Sequence, residues 1–190
     1  MELLVHKIVM GITVAMLSVT QCHGQGLTPH SCRFEDAREG QTAECNVDEM
    51  VFSVCAAAEN LNACGGHTTR IECCKVNQGP LSSSSCITIP EDSGDMATCP
   101  TSMFMRGACS SHFNPMCDEK SHSIKCCDYK LNNSPLYQVN PTVEGTSGNF
   151  VDCPDRKTAA AMCASVGRPA CTDDSYTLLL CAYPDLFFIA

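Results

Sequence analysis

Cysteine recurs in this 190-residue chain at a fixed period, and no other feature limits its folding more. Cys45, Cys99 and Cys153 stand 54 residues apart, as do Cys55, Cys109 and Cys163. Cys64, Cys117 and Cys171 follow at steps of 53 and 54, and so do Cys74, Cys127 and Cys181. Cys32 and Cys86 keep the 54-residue step, and the unit reads C-x(12)-C-x(9)-C-x(7 or 8)-C-x(8)-C-C. Self-similarity at one period marks a repeated supersecondary unit. Gly40, Gly94 and Gly148 share one column, which predicts a turn with positive φ. Ile71, Ile124 and Leu178 share an apolar one.

The chain holds 17 cysteines. Cys22 lies in a leader-like segment, where Lys7 precedes the apolar run Ile8 to Leu17 and small residues follow. That run is too short for a membrane span, which needs about 20 apolar residues. Residues 1–24 are therefore read as a signal peptide and the chain as secreted. Without Cys22 sixteen cysteines remain, enough for eight disulfides in an oxidising compartment. No C-x-x-C pair with zinc-ligand spacing occurs. The expected organisation is a cysteine-rich repeat over 25–80, a second over 81–134, and a third over 135–190 that lacks one disulfide. The expected fold class is small, disulfide-rich and mainly β: three tandem units of about 54 residues, with short antiparallel strands and few helices.

The third unit supplies a pairing argument. By the 54-residue step, Asn140 replaces Cys32 and Cys86, and Leu180 replaces Cys73 and Cys126. A lone thiol is a liability where disulfides form, so a bonded pair should disappear as a pair. This predicts Cys32–Cys73 and Cys86–Cys126. Cys45, Cys55, Cys64 and Cys74 then pair within the first unit, in a connectivity that spacing leaves open. The same holds for Cys99, Cys109, Cys117 and Cys127 in the second unit, and for Cys153, Cys163, Cys171 and Cys181 in the third.

The stretches "TTRIECCKV", "SHSIKCCDY" and "SYTLLLCAY" are rich in β-formers and read as strands. Adjacent cysteines on a strand point to opposite faces, so each must serve a different one. "MVFSVC" and "MFMRGAC" also read as strands, whereas "RKTAAAMCASVG" has the composition of a short helix. "NQGPLSSSS" and "NNSPLYQVNPTVEGTSGN" are turn-rich and read as connectors. Asn132 heads an N-x-S sequon in the second connector, a glycosylation candidate.

Chemistry-bearing residues are sparse. The formal net charge of −9 excludes the basic face that nucleic acid demands, and disfavours anionic membrane surfaces. His67, His112 and His122 do not share a column, and no nucleophile–base–orienter signature accompanies them. The serines 82–85 read as solvated, and an exposed Arg70 is the one candidate for a protease-pocket finger. Asp118–Glu119 and Asp173–Asp174 occupy equivalent turns; the plain reading is a polar loop tip, the sharper one a weak calcium contact. A sugar-stacking platform lacks tryptophan, and Phe52 and Phe104 are expected in the interior. No catalytic residue, metal ligand or cofactor is assigned.

The leader-like segment, the repeated "IECC" and "IKCC" endings and the acidic balance resemble cysteine-rich secreted proteins of invertebrate extracellular and shell matrices. That resemblance implies a structural, mineral-associated matrix role, with matrix or secreted proteins as partners and contact with calcium or mineral. The alternative expectation is a soluble extracellular binder such as a protease inhibitor, toxin or defence factor.

Overall fold

The computed structural model describes residues 27–56, 64–111, 116–146, 150–154, 156–165, 171 and 177–186. The expected signal peptide, His112, Gly148, Asp173 and Asp174 lie outside them. Twelve strands and no helix are found among the described residues. From the first repeat come β1 (Pro29–Ala37), β2 (Ala43–Glu44), β3 (Met50–Ala56) and β4 (Thr69–Val76). The second supplies β5 (Leu81–Glu91), β6 (Met96–Thr98), β7 (Met103–Ser110) and β8 (His122–Leu131). The third supplies β9 (Ser134–Thr146), β10 (Val151–Asp152), β11 (Thr158–Ala164) and β12 (Thr177–Leu186).

Two of the sequence expectations about these segments fail. The alanine-rich stretch expected to be a short helix is strand β11, whose seven residues are all buried between β12 and β6. Helix propensity is a weak prior, and tertiary burial of small side chains overrides it here. The two connectors hold all of β9 and the start of β5. Prolines are tolerated in β1 and β5 because these strands lie at sheet edges, and in β9 because Pro135 adjoins the hairpin turn and Pro141 falls where the register with β12 breaks between Val139 and Thr142. Pro135 and Pro141 belong to β9, Pro90 to β5 and Pro29 to β1.

The strands form three antiparallel sets of the same order. The first is β1-β4-β3-β10, the second β5-β8-β7-β2 and the third β9-β12-β11-β6. The last two are joined where Lys130 and Leu131 pair with Pro135 and Ser134. Asn132 and Asn133 make that hairpin turn with φ of 51° and 66°, a left-handed pair that asparagine accepts readily. Each set takes three strands from one repeat and its short strand from another. The expectation of tandem separate units is therefore corrected: the repeats interlock. Cys45 N–H donates to Arg106 O at 2.8 Å, Cys99 to Ala160 at 2.9 Å and Cys153 to Phe52 at 2.8 Å. Those three bonds run from first repeat to second, second to third, and third to first.

Equivalent irregularities recur. β3, β7 and β11 each bulge against the closing strand, between Val51 and Ser53, Met105 and Gly107, and Ala159 and Ala161. Gly40 and Gly94 have φ of 66° and 87°, as their shared column predicts. One inner row from each set meets in the centre: Ile71, Val54 and Val151; Ile124, Ala108 and Ala43; Leu179, Met162 and Ala97. All nine belong to one buried cluster, so the oily interior is shared by the repeats rather than divided among them. Phe52 and Phe104 are buried in a second cluster, as expected.

Candidate functional site

Eight disulfides are formed, all within single repeats. The expected Cys32–Cys73 and Cys86–Cys126 bridges are not among them. Cys32 joins Cys74 and Cys86 joins Cys127, each with Cα atoms 4.1 Å apart. Cys45 takes Cys73, Cys99 takes Cys126 and Cys153 takes Cys181. The short loops close through Cys55–Cys64, Cys109–Cys117 and Cys163–Cys171.

The error is one residue of register. Arg33 pairs with Cys73, Ile87 with Cys126 and Thr142 with Cys181, so Cys181 stands where Cys73 and Cys126 do. β8 and β12 repeat the same burial sequence over their first eight residues, which confirms the alignment. Ala182 and Pro141 are thus the residues that replace the lost pair, not Leu180 and Asn140. By the same correction Leu179, not Leu178, shares the column of Ile71 and Ile124. The rule that a bridge vanishes whole holds; its two columns are displaced by one residue missing between Pro141 and Cys153 and one added between Cys171 and Cys181. Opposite faces are served as expected, with Cys73, Cys126 and Cys181 in the central cluster and Cys74 and Cys127 in the second.

The outer row of each set carries different chemistry. In the first it reads Phe34, Glu72, Ser53, Asp152. In the second it is Thr88, Lys125, Gly107, Glu44, and in the third Val143, Leu180, Ala161, Thr98. Side chains directly opposite on neighbouring strands share a face and interact. The second row is neutralised internally: Lys125 Nζ lies 2.9 Å from both Glu44 oxygens, and Arg106 also pairs with Glu44. These cations hold the Glu44 carboxyl below its usual range against the opposing effect of burial. Gly107 is required there, because a Cβ would lie 2.7 Å from Ala43 O where β2 crosses. Beside this row a groove of about 740 Å³ is lined by Glu44, Cys45, Asn46, Val47, Asp48 and Arg106.

The first row keeps its acids without a cation among the described residues. Burial, and then the charge of Asp152, push the Glu72 carboxyl above its ordinary range. Ser53 Oγ, buried between them, has no hydrogen-bond partner among the described residues. Phe34 is 52% exposed, with its ring 5.3 Å from that of Phe150 and the Arg70 guanidinium 5.2 Å above it. Arg70 also donates from Nη2 to Asp36 at 3.0 Å, so it is pinned to this face rather than extended as a protease finger.

Other sequence candidates find structural employment. Ser84 and Ser85 donate their amides to Asp128 at 3.0 and 2.6 Å, filling the β5 bulge. His122 is fully buried, and burial lowers its pKa. His67 Nε2 lies 3.6 Å from Asp36, and His30 contacts Ser31. Asp118 and Glu119 form a tight turn with φ of 50° and 67° between Cys117 and Lys120. Asn132 is exposed, and its Nδ2 donates to Gln78 O at 3.3 Å. Two groups bring a carboxylate within 4.8 Å of two sulfurs: Cys32, Glu72, Cys74 and Cys45, Glu49, Cys73. In both, the sulfurs are bonded in disulfides, one of them Cys32–Cys74, and offer no thiolate to a metal. The dense bridging suits an oxidising, extracellular type of environment. Comparison with protein families, curated proteins and solved structures finds no match to this chain.

Proposed function

We propose that the chain is a secreted, disulfide-braced structural protein of an extracellular matrix, with mineral or shell as the setting its acidic surface suits. The observation that carries this reading is the bracing itself: eight bridges hold an interlocked β body in which every repeat depends on its neighbours. Such a body keeps its shape without a large interior and presents fixed faces to other matrix molecules. Its partners on this reading are matrix or secreted proteins, with weak calcium or mineral contact and no nucleic acid or membrane. The reading assigns no catalysis and no cofactor. Extraction tests it: the protein should need demineralisation or denaturant to leave its tissue, and free recovery from body fluid would contradict it.

A second reading, a soluble extracellular binder, draws on the divergence of the three outer rows. Repeated geometry with unlike side chains suits unlike contacts, and the half-exposed Phe34 beside Arg70 is the face for one of them. Recovery in fluid together with loss of a copurifying protein in Phe34→Ser would favour it.

A further inference from the structure

The bridges fall into three positional classes, and one of them differs from the rest. Cys45–Cys73, Cys99–Cys126 and Cys153–Cys181 reach the central cluster. Of the three loop bridges, Cys55, Cys64, Cys109, Cys117 and Cys163 are at most 2% exposed. The third class ties an edge strand to its closing strand and contains only Cys32–Cys74 and Cys86–Cys127. Cys32 is exposed and Cys86 half-buried, while Cys74 and Cys127 are buried. Among the described residues Cys32 is the only exposed half-cystine.

The third repeat shows that this class is dispensable for strand pairing. With Pro141 and Ala182 in place of the bridge, β9 and β12 still pair on both sides of the gap, Thr142 with Cys181 and Val139 with Tyr183. Opening Cys32–Cys74 therefore need not separate β1 from β4. A carboxylate oxygen of Glu72 lies within 4.8 Å of both sulfurs, and neither it nor Asp152 has an ion-pair partner among the described residues. In the second repeat the same position holds Lys125, tied to Glu44.

We propose that Cys32–Cys74 is a thiol-exchange site that captures a thiol, by preference a cationic aminothiol, on Cys32 while the other bridges persist. The thiolate of the incoming group attacks Cys32 Sγ from its exposed side. A new bond forms between the two, the Cys32–Cys74 bond breaks, and its electron pair leaves on Cys74 Sγ, which takes a proton from solvent. One disulfide is consumed and one is made, so no outside oxidant or reductant is needed. Attack on Cys74 is blocked by its burial. The unpaired carboxylates beside the bridge repel anionic thiols and attract cationic ones.

The test exposes the intact oxidised protein to cysteamine and, separately, to mercaptoacetate at pH 8, with acid quenching, alkylation and peptide mass analysis. The expected result is an adduct on Cys32 and a free thiol on Cys74 before any other cysteine reacts, with the circular dichroism unchanged. With each rate divided by that thiol's rate on a small uncharged disulfide, which cancels the difference in thiol pKa, cysteamine should lead mercaptoacetate by about threefold or more, and Glu72→Lys should reverse that preference. The double variant Cys32→Pro with Cys74→Ala copies the third repeat; it should lose the early adduct and leave later exchange as it was. An early adduct elsewhere or on Cys74, no adduct before general reduction, or simultaneous release of many thiols with loss of structure would overturn the proposal. So would equal normalised rates for the two thiols, since the cationic preference is part of it.

Discussion

At the scale of the residue, the threefold repetition supplies its own substitution series. Glu49, Met103 and Lys157 each follow a turn and donate their amide to residue 46, 100 or 154. Opposite them stand Arg33, Ile87 and Thr142 in one column. Glu49 is 2% exposed and accepts from Arg33 at 3.0 and 2.7 Å and from Asn46 N at 2.9 Å. Lys157 instead donates to Thr142 Oγ1 at 2.8 Å and lies 5.0 Å from the Tyr183 ring centroid. One position thus accepts an ion pair or a cation with a hydroxyl, and the second repeat places Ile87 and Met103 in the same two columns. Arg33→Ile alone strands a buried carboxylate and should cost about 1–3 kcal/mol, Arg33 being partly exposed. Adding Glu49→Met should recover most of that loss in a urea titration. Burial raises the Glu49 carboxyl, but Arg33 and Asn46 outweigh it and leave it lowered. Its contribution is then present above the unfolded carboxylate pKa and lost as pH falls below about 4.5.

His122 acts at a different pH. It occupies the place of Thr69 and Thr177, is fully buried, and leaves Nε2 without a partner among the described residues. Its pKa is lowered by burial, so the unfolded chain binds the proton more readily than the folded one. Stability should therefore fall as pH drops below about 6.5, by at most about 1.4 kcal/mol per unit. His122→Thr, which copies both equivalents, should flatten the profile between pH 5 and 7; an unchanged slope would remove His122 as its cause.

At the scale of the element, the closing strands were legible because cysteine, isoleucine and β-branched residues crowd them. Strands β5 and β9 were not, because proline and serine there look like connector chemistry until an edge position or a break in the ladder makes them acceptable. The pairing error has the same kind of origin. Counting along the chain cannot see a one-residue insertion between Cys171 and Cys181, whereas hydrogen-bond register can. A matched pair of variants separates the two alignments. Pro141→Cys with Ala182→Cys should form a ninth bridge and raise stability by up to about 4 kcal/mol, the chain-entropy value for a loop near 40 residues. Asn140→Cys with Leu180→Cys should leave two free thiols, because those residues do not face each other. Thiol titration and thermal melting read both results.

At the scale of the whole molecule, the period announced three units but not their interlocking. Nothing in β2, β6 or β10 distinguishes them from loop: they are two or three residues long and carry no apolar alternation. Their value appears only when each lies on the neighbouring repeat's sheet and brings Ala43, Ala97 or Val151 into the shared centre. The outer rows were hidden for the same reason, since Glu72 and Asp152 are distant in sequence and become neighbours only through β10. Amide hydrogen exchange tests this closure most directly. The amides of Cys45, Cys99 and Cys153, each bonded to the next repeat, should exchange only with global unfolding, as slowly as those of Ile71 and Ile124. Rapid exchange at all three, with the closing strands still protected, would mean that the repeats fold as separate beads and that the shared core does not exist.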